Sequence, residues 1–244
     1  MINCKDEFFK KVIIYQINHL AQIKITLIKH DHLKHDQIKK VLLLQSFTKN
    51  LQNDHQNSHD FFKHHPHISI SHTTQTLCIV EITDVLNVSN INNLFIGVDL
   101  EIKNRIHSKL INKISNNQEQ KLTHPYESCL WTIKEASFKA LSKMNNKLKI
   151  TDKTLVMTDI VVSQHEGYGN HSLLKKVYND FELKTLSKAN VQFKDQLLKD
   201  QLKFETHVIN FELNFHSSID DIQNVSPNHQ TEILSLCLIQ VVSK

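Results

Sequence analysis

Apolar residues recur along this chain at two periods. From residue 36 to 51, DQIKKVLLLQSFTKNL sets Ile38, Val41, Leu42 and Phe47 at helical spacing with lysines on the other side, which predicts an amphipathic helix. Ile68, Ile70 and His72 then alternate with Ser69, Ser71 and Thr73, and the apolar run Leu77 to Ile82 follows across a short polar turn. Two neighbouring strands are expected there. Residues 87–93, NVSNINN, are polar and turn-prone and mark a boundary between two halves, 1–92 and 93–244.

Beyond the boundary, Phe95 to Ile102 alternates cleanly, with Ile96, Val98, Leu100 and Ile102 on one side and Gly97, Asp99 and Glu101 on the other. This pattern predicts a half-buried strand. A helix is expected from about His107 to Leu122, and a second from near Pro125, a residue suited to a first helical turn, to about Lys143. Lys149 to Ser163 and Glu205 to Phe215 read as strands, and Glu232 to Val242 as a closing core strand. The lysine-rich stretch between Gly167 and Gln201 is polar and gives no firm reading, and no internal repeat is visible.

Composition narrows the chemistry. The 244 residues include only three glycines, Gly97, Gly167 and Gly169, so a glycine-rich phosphate loop is excluded for want of residues. A formal charge of +4 is too small and dispersed for a nucleic-acid protein, although it favours a polyanionic cofactor or an acidic partner. Cys4, Cys78, Cys129 and Cys237 have no CxxC spacing, and the last three sit in apolar runs, as in a reducing compartment. Asp6, Glu7, Lys10 and Lys11 before a short apolar run do not make a secretory signal, and no stretch nears the roughly 18 apolar residues of a membrane span. A soluble, cytoplasmic protein with no membrane or nucleic-acid partner is expected.

Residues two apart on a strand share a side, so Asp99 and Glu101 bring two carboxylates together beside Gly97. Alone, they read equally as a solvated strand face. On the following helix, Leu130, Trp131, Ile133, Ala136, Phe138, Ala140 and Leu141 fill an apolar arc, and Thr132, Glu135 and Lys139 form a narrow polar strip. Glu135 and Lys139 also fit an ordinary surface pair. Lys134, inside the apolar arc, must reach outward or meet an anion, and a phosphate contact is one outcome. If Asp99, Glu101 and Glu135 met, carboxylates about 5 Å apart would repel by roughly 3 kcal/mol at an effective dielectric of about 20. A hard cation such as magnesium, shared with substrate phosphates, would relieve this.

Ile96 to Glu101 (IGVDLE) and Leu130 to Lys139 (LWTIKEASFK) resemble the two signature motifs of the 4'-phosphopantetheinyl transferase superfamily. Ile68 to Thr73 (ISISHT) resembles the segment that precedes them in the long, monomeric, surfactin-synthetase-activating type. The resemblance spans roughly residues 66 to 141. It implies an α+β fold, a pseudo-dimer of two similar halves, each a small antiparallel sheet with packed helices, with coenzyme A bound between them. It further implies that Asp99, Glu101 and Glu135 hold magnesium, that Lys139 contacts the coenzyme A phosphate, with Lys134 a second contact, and that Ser71 and His72 touch the nucleotide's phosphates. Glu119 resembles an acidic residue that helps deprotonate the carrier serine, and reads equally well as a surface glutamate.

The implied activity is magnesium-dependent transfer of the phosphopantetheine arm of coenzyme A to a serine of an apo acyl or peptidyl carrier protein, by a monomer. The alternative is a degenerate member that binds coenzyme A or a carrier protein without turnover. One departure lies upstream, where related proteins often carry Gly-Lys-Pro and this chain has His64-His65-Pro66, a titratable charge in place of a constant one. Lys34, Lys39 and Lys40 are candidates for the 3'-phosphate. The histidines 59, 64, 65, 67 and 72 match no closed zinc-site spacing.

Overall fold

Sheet A of this computed structural model is built from the strands β1 (Phe9–Ile17), β2 (Ala21–Lys29), β3 (Ile68–His72) and β4 (Thr76–Val85), in the order β1-β2-β4-β3. Sheet B follows in the chain. It contains β5 (Leu94–Ile102), β6 (Ile160–Gly167), β7 (Lys175–Val177), β8 (Phe181–Phe193), β9 (Lys203–Phe215) and β10 (Thr231–Val242), in the order β5-β10-β9-β8-β6 with β7 beside β8. Three helices lie between β5 and β6: α1 (Ser108–Ile114), α2 (Asn117–Leu122) and α3 (Glu127–Leu148). The structure describes residues 9–17, 20–29, 65–86, 90–122, 127–152, 154–167, 175–177, 181–194, 202–215 and 231–242. All strand pairings among them are antiparallel, so the fold is α+β. Among the described residues no helix is long and apolar enough to cross a membrane.

Sheet A and sheet B pack face to face. Ile23, Ile25, Leu27, Cys78 and Val80 meet Ile96, Val98, Leu100, Phe211, Leu234 and Leu236 in one core. The other side of sheet B is covered by α3, where Phe95, Cys237, Ile239 and Val208 join Leu130, Ile133, Ala136 and Ala140 in a second core. This corrects the reading of β5 as half-buried: Asp99 is only 6% exposed, because α3 covers its side of the strand.

Bulges let one strand serve both cores. In β8 the register shifts between Thr185 and Ser187, so Phe181 and Leu183 join the first core while Ala189, Val191 and Phe193 join the second. The strand alternates buried and more exposed positions throughout, with Lys184 and Lys188 on the outward side. Its lysines hid this long strand inside the stretch read as polar.

The expected strands at residues 68–73 and 77–82 correspond to β3 and β4, and those at 205–215 and 232–242 to β9 and β10. The expected strand at 149–163 begins only at Ile160. The helix expected from 107 to 122 is two helices, because the Asn116 side chain accepts from the backbone nitrogens of Gln118 and Glu119 and starts a new one. The second expected helix runs on to Leu148. The predicted helix at 36–51, Pro125, Lys34, Lys39, Lys40, His59 and His64 lie outside the described residues.

The outer edge of β5 faces β3 without forming a regular ladder, and side chains satisfy its backbone instead. The hydroxyls of Ser69 and Ser71 accept from the nitrogens of Val98 and Leu100 at 3.1 Å each. Lys139 donates to the Val98 carbonyl at 3.0 Å, and Lys143 to those of Ile96 at 2.9 Å and Ile68 at 2.5 Å. The Ile96 nitrogen donates to the Pro66 carbonyl. The seam between the two sheets is thus closed by serines from β3 and lysines from α3.

Candidate functional site

The helix reaches this seam because it lies almost on the strand. A Cβ at Gly97 would collide with the Ala136 carbonyl oxygen and sit 2.7 Å from the Ala140 nitrogen, so glycine and two alanines set the helix-to-sheet distance. One turn on from Glu135, Lys139 then points down to the edge of β5.

Asp99 is the centre of the arrangement. Its Oδ1 accepts from the Ser71 hydroxyl at 2.9 Å and from Lys139 Nζ at 2.9 Å. Lys139 Nζ lies 3.9 Å from Glu135 Oε1, and Lys139 and Glu135 are each about a quarter exposed. Burial, and behind it the charge of Asp99, push the Glu135 carboxyl above its ordinary range, while Lys139 pulls it down. Asp99, Glu135 and Lys139 therefore form one group of two carboxylates about a single ammonium, with Glu135 and Lys139 partly exposed.

Glu101 is on the same side of β5 but is held elsewhere. Its Oε1 accepts from the Ile102 nitrogen at 2.8 Å and lies 3.5 Å from Nη1 of the exposed Arg105. Among the described residues no three His, Cys, Asp or Glu side chains form a ready-made metal cage. The donor set still fits a hard divalent cation. All three candidate donors are carboxylates, Asp99 and Glu135 share the single ammonium of Lys139, and a partly exposed ion pair such as Glu101–Arg105 is worth about 0–1 kcal/mol, a small loss beside a metal bond. Asp99, Glu101 and Glu135 would hold such an ion once Glu101 turned inward.

Two other residues expected at the site are not joined to it. Lys134 and Glu119 form a buried ion pair at 2.8 Å, with side chains 1% and 2% exposed. Lys134 also donates to the carbonyls of Ile114 at 2.6 Å and Ile160 at 2.7 Å, so its three protons all have internal acceptors. Glu119 accepts from the nitrogens of Asn116 and Val162, both at 2.8 Å. Of the two outcomes expected for the lysine in the apolar arc, reaching outward or meeting an anion, the structure shows the second, and that anion is Glu119. A phosphate contact by Lys134, or proton removal by Glu119, would require this lock between α2, α3 and β6 to break.

Ser71 is likewise engaged internally, donating to Asp99 and accepting from Leu100. His72, next along the strand, is exposed, with Nδ1 3.4 Å from the Thr73 carbonyl. His65 is depressed to about 4 by burial, with His67 and Lys143 adding to the effect, so its ring is neutral at neutral pH.

Two buried charges escaped the sequence reading. Lys143, 3% exposed, is lowered to about 7 by burial and by Lys139. Its signal was the fourfold spacing of Lys139, Lys143 and Lys147 beside Ala136 and Ala140. Glu232, 1% exposed, is raised to about 7 by burial, against the pull of Thr73 and Thr76, with Glu101 adding to the rise. The Thr73 hydroxyl donates to its Oε1 at 2.5 Å, while Oε2 has no partner of regular hydrogen-bond geometry among the described residues. Its signal was alternation, since Glu232 shares a side with Leu234, Leu236 and Leu238.

No family model matches the chain, and no curated protein matches it.

Proposed function

We propose that the chain is a magnesium-dependent 4'-phosphopantetheinyl transferase, moving the phosphopantetheine arm of coenzyme A to a serine of an apo acyl or peptidyl carrier protein. The observation that carries this reading is the convergence of Asp99, Glu135 and Lys139, drawn from two motifs about forty residues apart, with Lys139 between the two carboxylates and partly exposed. In the proposal, Asp99, Glu101 and Glu135 hold the magnesium, whose chemistry there is to withdraw charge from the pyrophosphate. Lys139 keeps Asp99 in place with one proton and the Val98 carbonyl with another, and offers the third to a phosphate oxygen from its partly exposed side. Ser71 fixes the Asp99 carboxylate from β3, so its role is to orient a ligand of the metal rather than to touch the nucleotide.

The remaining parts follow the same resemblance. The halves 1–92 and 93–244 form a pseudo-dimer with coenzyme A between them, and the protein acts in the cytoplasm as a monomer. Catalysis rests on alignment and charge neutralisation, with adenosine 3',5'-bisphosphate as leaving group. The buried state of Glu119 favours a second reading, a member that binds coenzyme A or a carrier protein without turnover, since that carboxylate is 2% exposed and paired with Lys134.

Intact-mass analysis of several apo-carriers incubated with the protein, coenzyme A and magnesium separates the two. A transferase adds the phosphopantetheine mass to at least one carrier. A binder leaves every carrier unmodified while coenzyme A still titrates calorimetrically.

A further inference from the structure

A row of polar side chains crosses sheet B beneath α3. Asp99 on β5 stands opposite Ser235 on β10, Ser235 opposite Asn210 on β9, and Asn210 opposite Ser187 on β8. Ser235, Asn210 and Ser187 are fully buried. Ser235 Oγ lies 2.5 Å from Asn210 Oδ1, and Asn210 Nδ2 donates to Ser187 Oγ at 2.9 Å. From the helix, Thr132 meets the row, its Oγ1 2.6 Å from Ser235 Oγ and within reach of the Ser128 and Cys129 carbonyls. Thr132 stands one turn ahead of Glu135.

Burying this chain of polar groups between two apolar surfaces needs a reason, since apolar residues of like shape would pack at least as well. The pattern of α3 supplies one. The helix repeats every four residues, with Ala136 and Ala140 against Gly97 and Lys139, Lys143 and Lys147 along the seam. A slide by one turn would again offer an alanine to Gly97 and lysines to the strand carbonyls. In one direction it sets Glu135 against the carboxylate of Asp99 and the Val98 carbonyl, and charge rejects it. In the other it sets Ala136 over Ser235 and Lys143 near Asp99, which suits the charges at the seam, while Phe138 takes the place of Lys134 and leaves Glu119 unpaired. At the centre of sheet B, beneath the helix, what counts against that slide is the hydroxyl of Ser235, left buried without its Thr132 partner.

We infer that Thr132 and Ser235 are positioning residues, a register pin that, together with the Lys134–Glu119 lock at the β6 side, sets α3 on sheet B so that Glu135 and Lys139 meet Asp99. The inference rests on the proposed function only for what that site holds. Neither residue touches the reacting groups.

The test reads register without any ligand, through the side-chain ammonium resonances of the 15N-labelled protein, with the Lys139 signal assigned by its loss in Lys139→Met. Thr132→Val and Ser235→Ala shift or abolish that signal, and Thr132→Ser, which keeps the hydroxyl, restores it. Ser235→Ala removes a single atom and keeps the test open should Thr132→Val fail to fold. A Lys139 signal unchanged in Ser235→Ala, or not restored in Thr132→Ser, overturns the inference. Manganese binding by the same proteins gives the second readout, with an expected loss of about tenfold in affinity for Thr132→Val and Ser235→Ala. Wild-type binding with unaltered affinity in both variants also overturns the pin. A wild type that binds no manganese overturns the metal reading instead, and the lysine signal then decides the pin by itself.

Discussion

The Ala136 carbonyl oxygen sits over Gly97, too close for any side chain at that position. The obstacle is backbone on both sides, so it cannot turn away as a flexible side chain would. Gly97→Ala is expected to push α3 off the strand and to destabilise the fold by about 3 kcal/mol or more, at the upper end of overpacking costs. Urea unfolding measures the loss. The same variant should weaken divalent-cation binding, because Glu135 moves with the helix.

Glu119 and Lys134 separate a structural role from a catalytic one. Breaking a buried pair by removing one partner strands the other charge and costs about 3–5 kcal/mol. Glu119→Gln should therefore lose stability on that scale by chemical denaturation. Per folded molecule, it should retain carrier modification. Loss of modification in a fully folded Glu119→Gln protein would return Glu119 to the reacting set.

Buried charges also set the pH dependence of stability. Glu232 has a folded value of about 7, above its ordinary 4.5, so folding takes up a proton between those values. Its contribution is full below pH 4.5 and is lost as pH rises to 7. Lys143 behaves in the opposite sense, since its folded value of about 7 lies below its ordinary 10.5 and folding releases a proton between them. Its contribution is full above 10.5 and is lost as pH falls to 7. Together they place a shallow stability minimum near pH 7. Denaturation across pH 5 to 10 should show it, with the lower limb flattened in Glu232→Gln and the upper limb flattened in Lys143→Met.

Where one side chain faced one environment, the sequence was a good guide. The alternation of β5 and the periodicity of α3 put Asp99, Glu135 and Lys139 on surfaces that meet, and the run 232–242 announced β10. What escaped depended on partners distant in sequence. Nothing local to Phe95–Ile102 indicates that a helix covers its second side. Lys134 is satisfied by Glu119 and by carbonyls at Ile114 and Ile160, which only the fold brings together. β8 was masked by its outward lysines, although its buried positions alternate without a break from Phe181 to Phe193; its change of core at the Thr185–Ser187 bulge depends on pairing with β9 that no local pattern shows.

Ser71 offers a check on the seam. Ser71→Ala removes the donor to Asp99 and the acceptor for Leu100 while leaving Lys139 in place. The expected outcome is a modest stability loss of about 1 kcal/mol, with a larger relative fall in metal affinity than in coenzyme A affinity measured without metal. Equal losses in both would place Ser71 on the nucleotide.

The most direct measurement is a calorimetric titration of magnesium, with coenzyme A present, into the wild type, Asp99→Asn and Glu135→Gln, each shown to be folded. One ion per chain in the wild type, with binding lost or weakened at least tenfold in each variant, is the predicted result. A wild type that takes up no magnesium, or variants that bind it as the wild type does, would contradict the claim that carboxylates from β5 and α3 share a single cation.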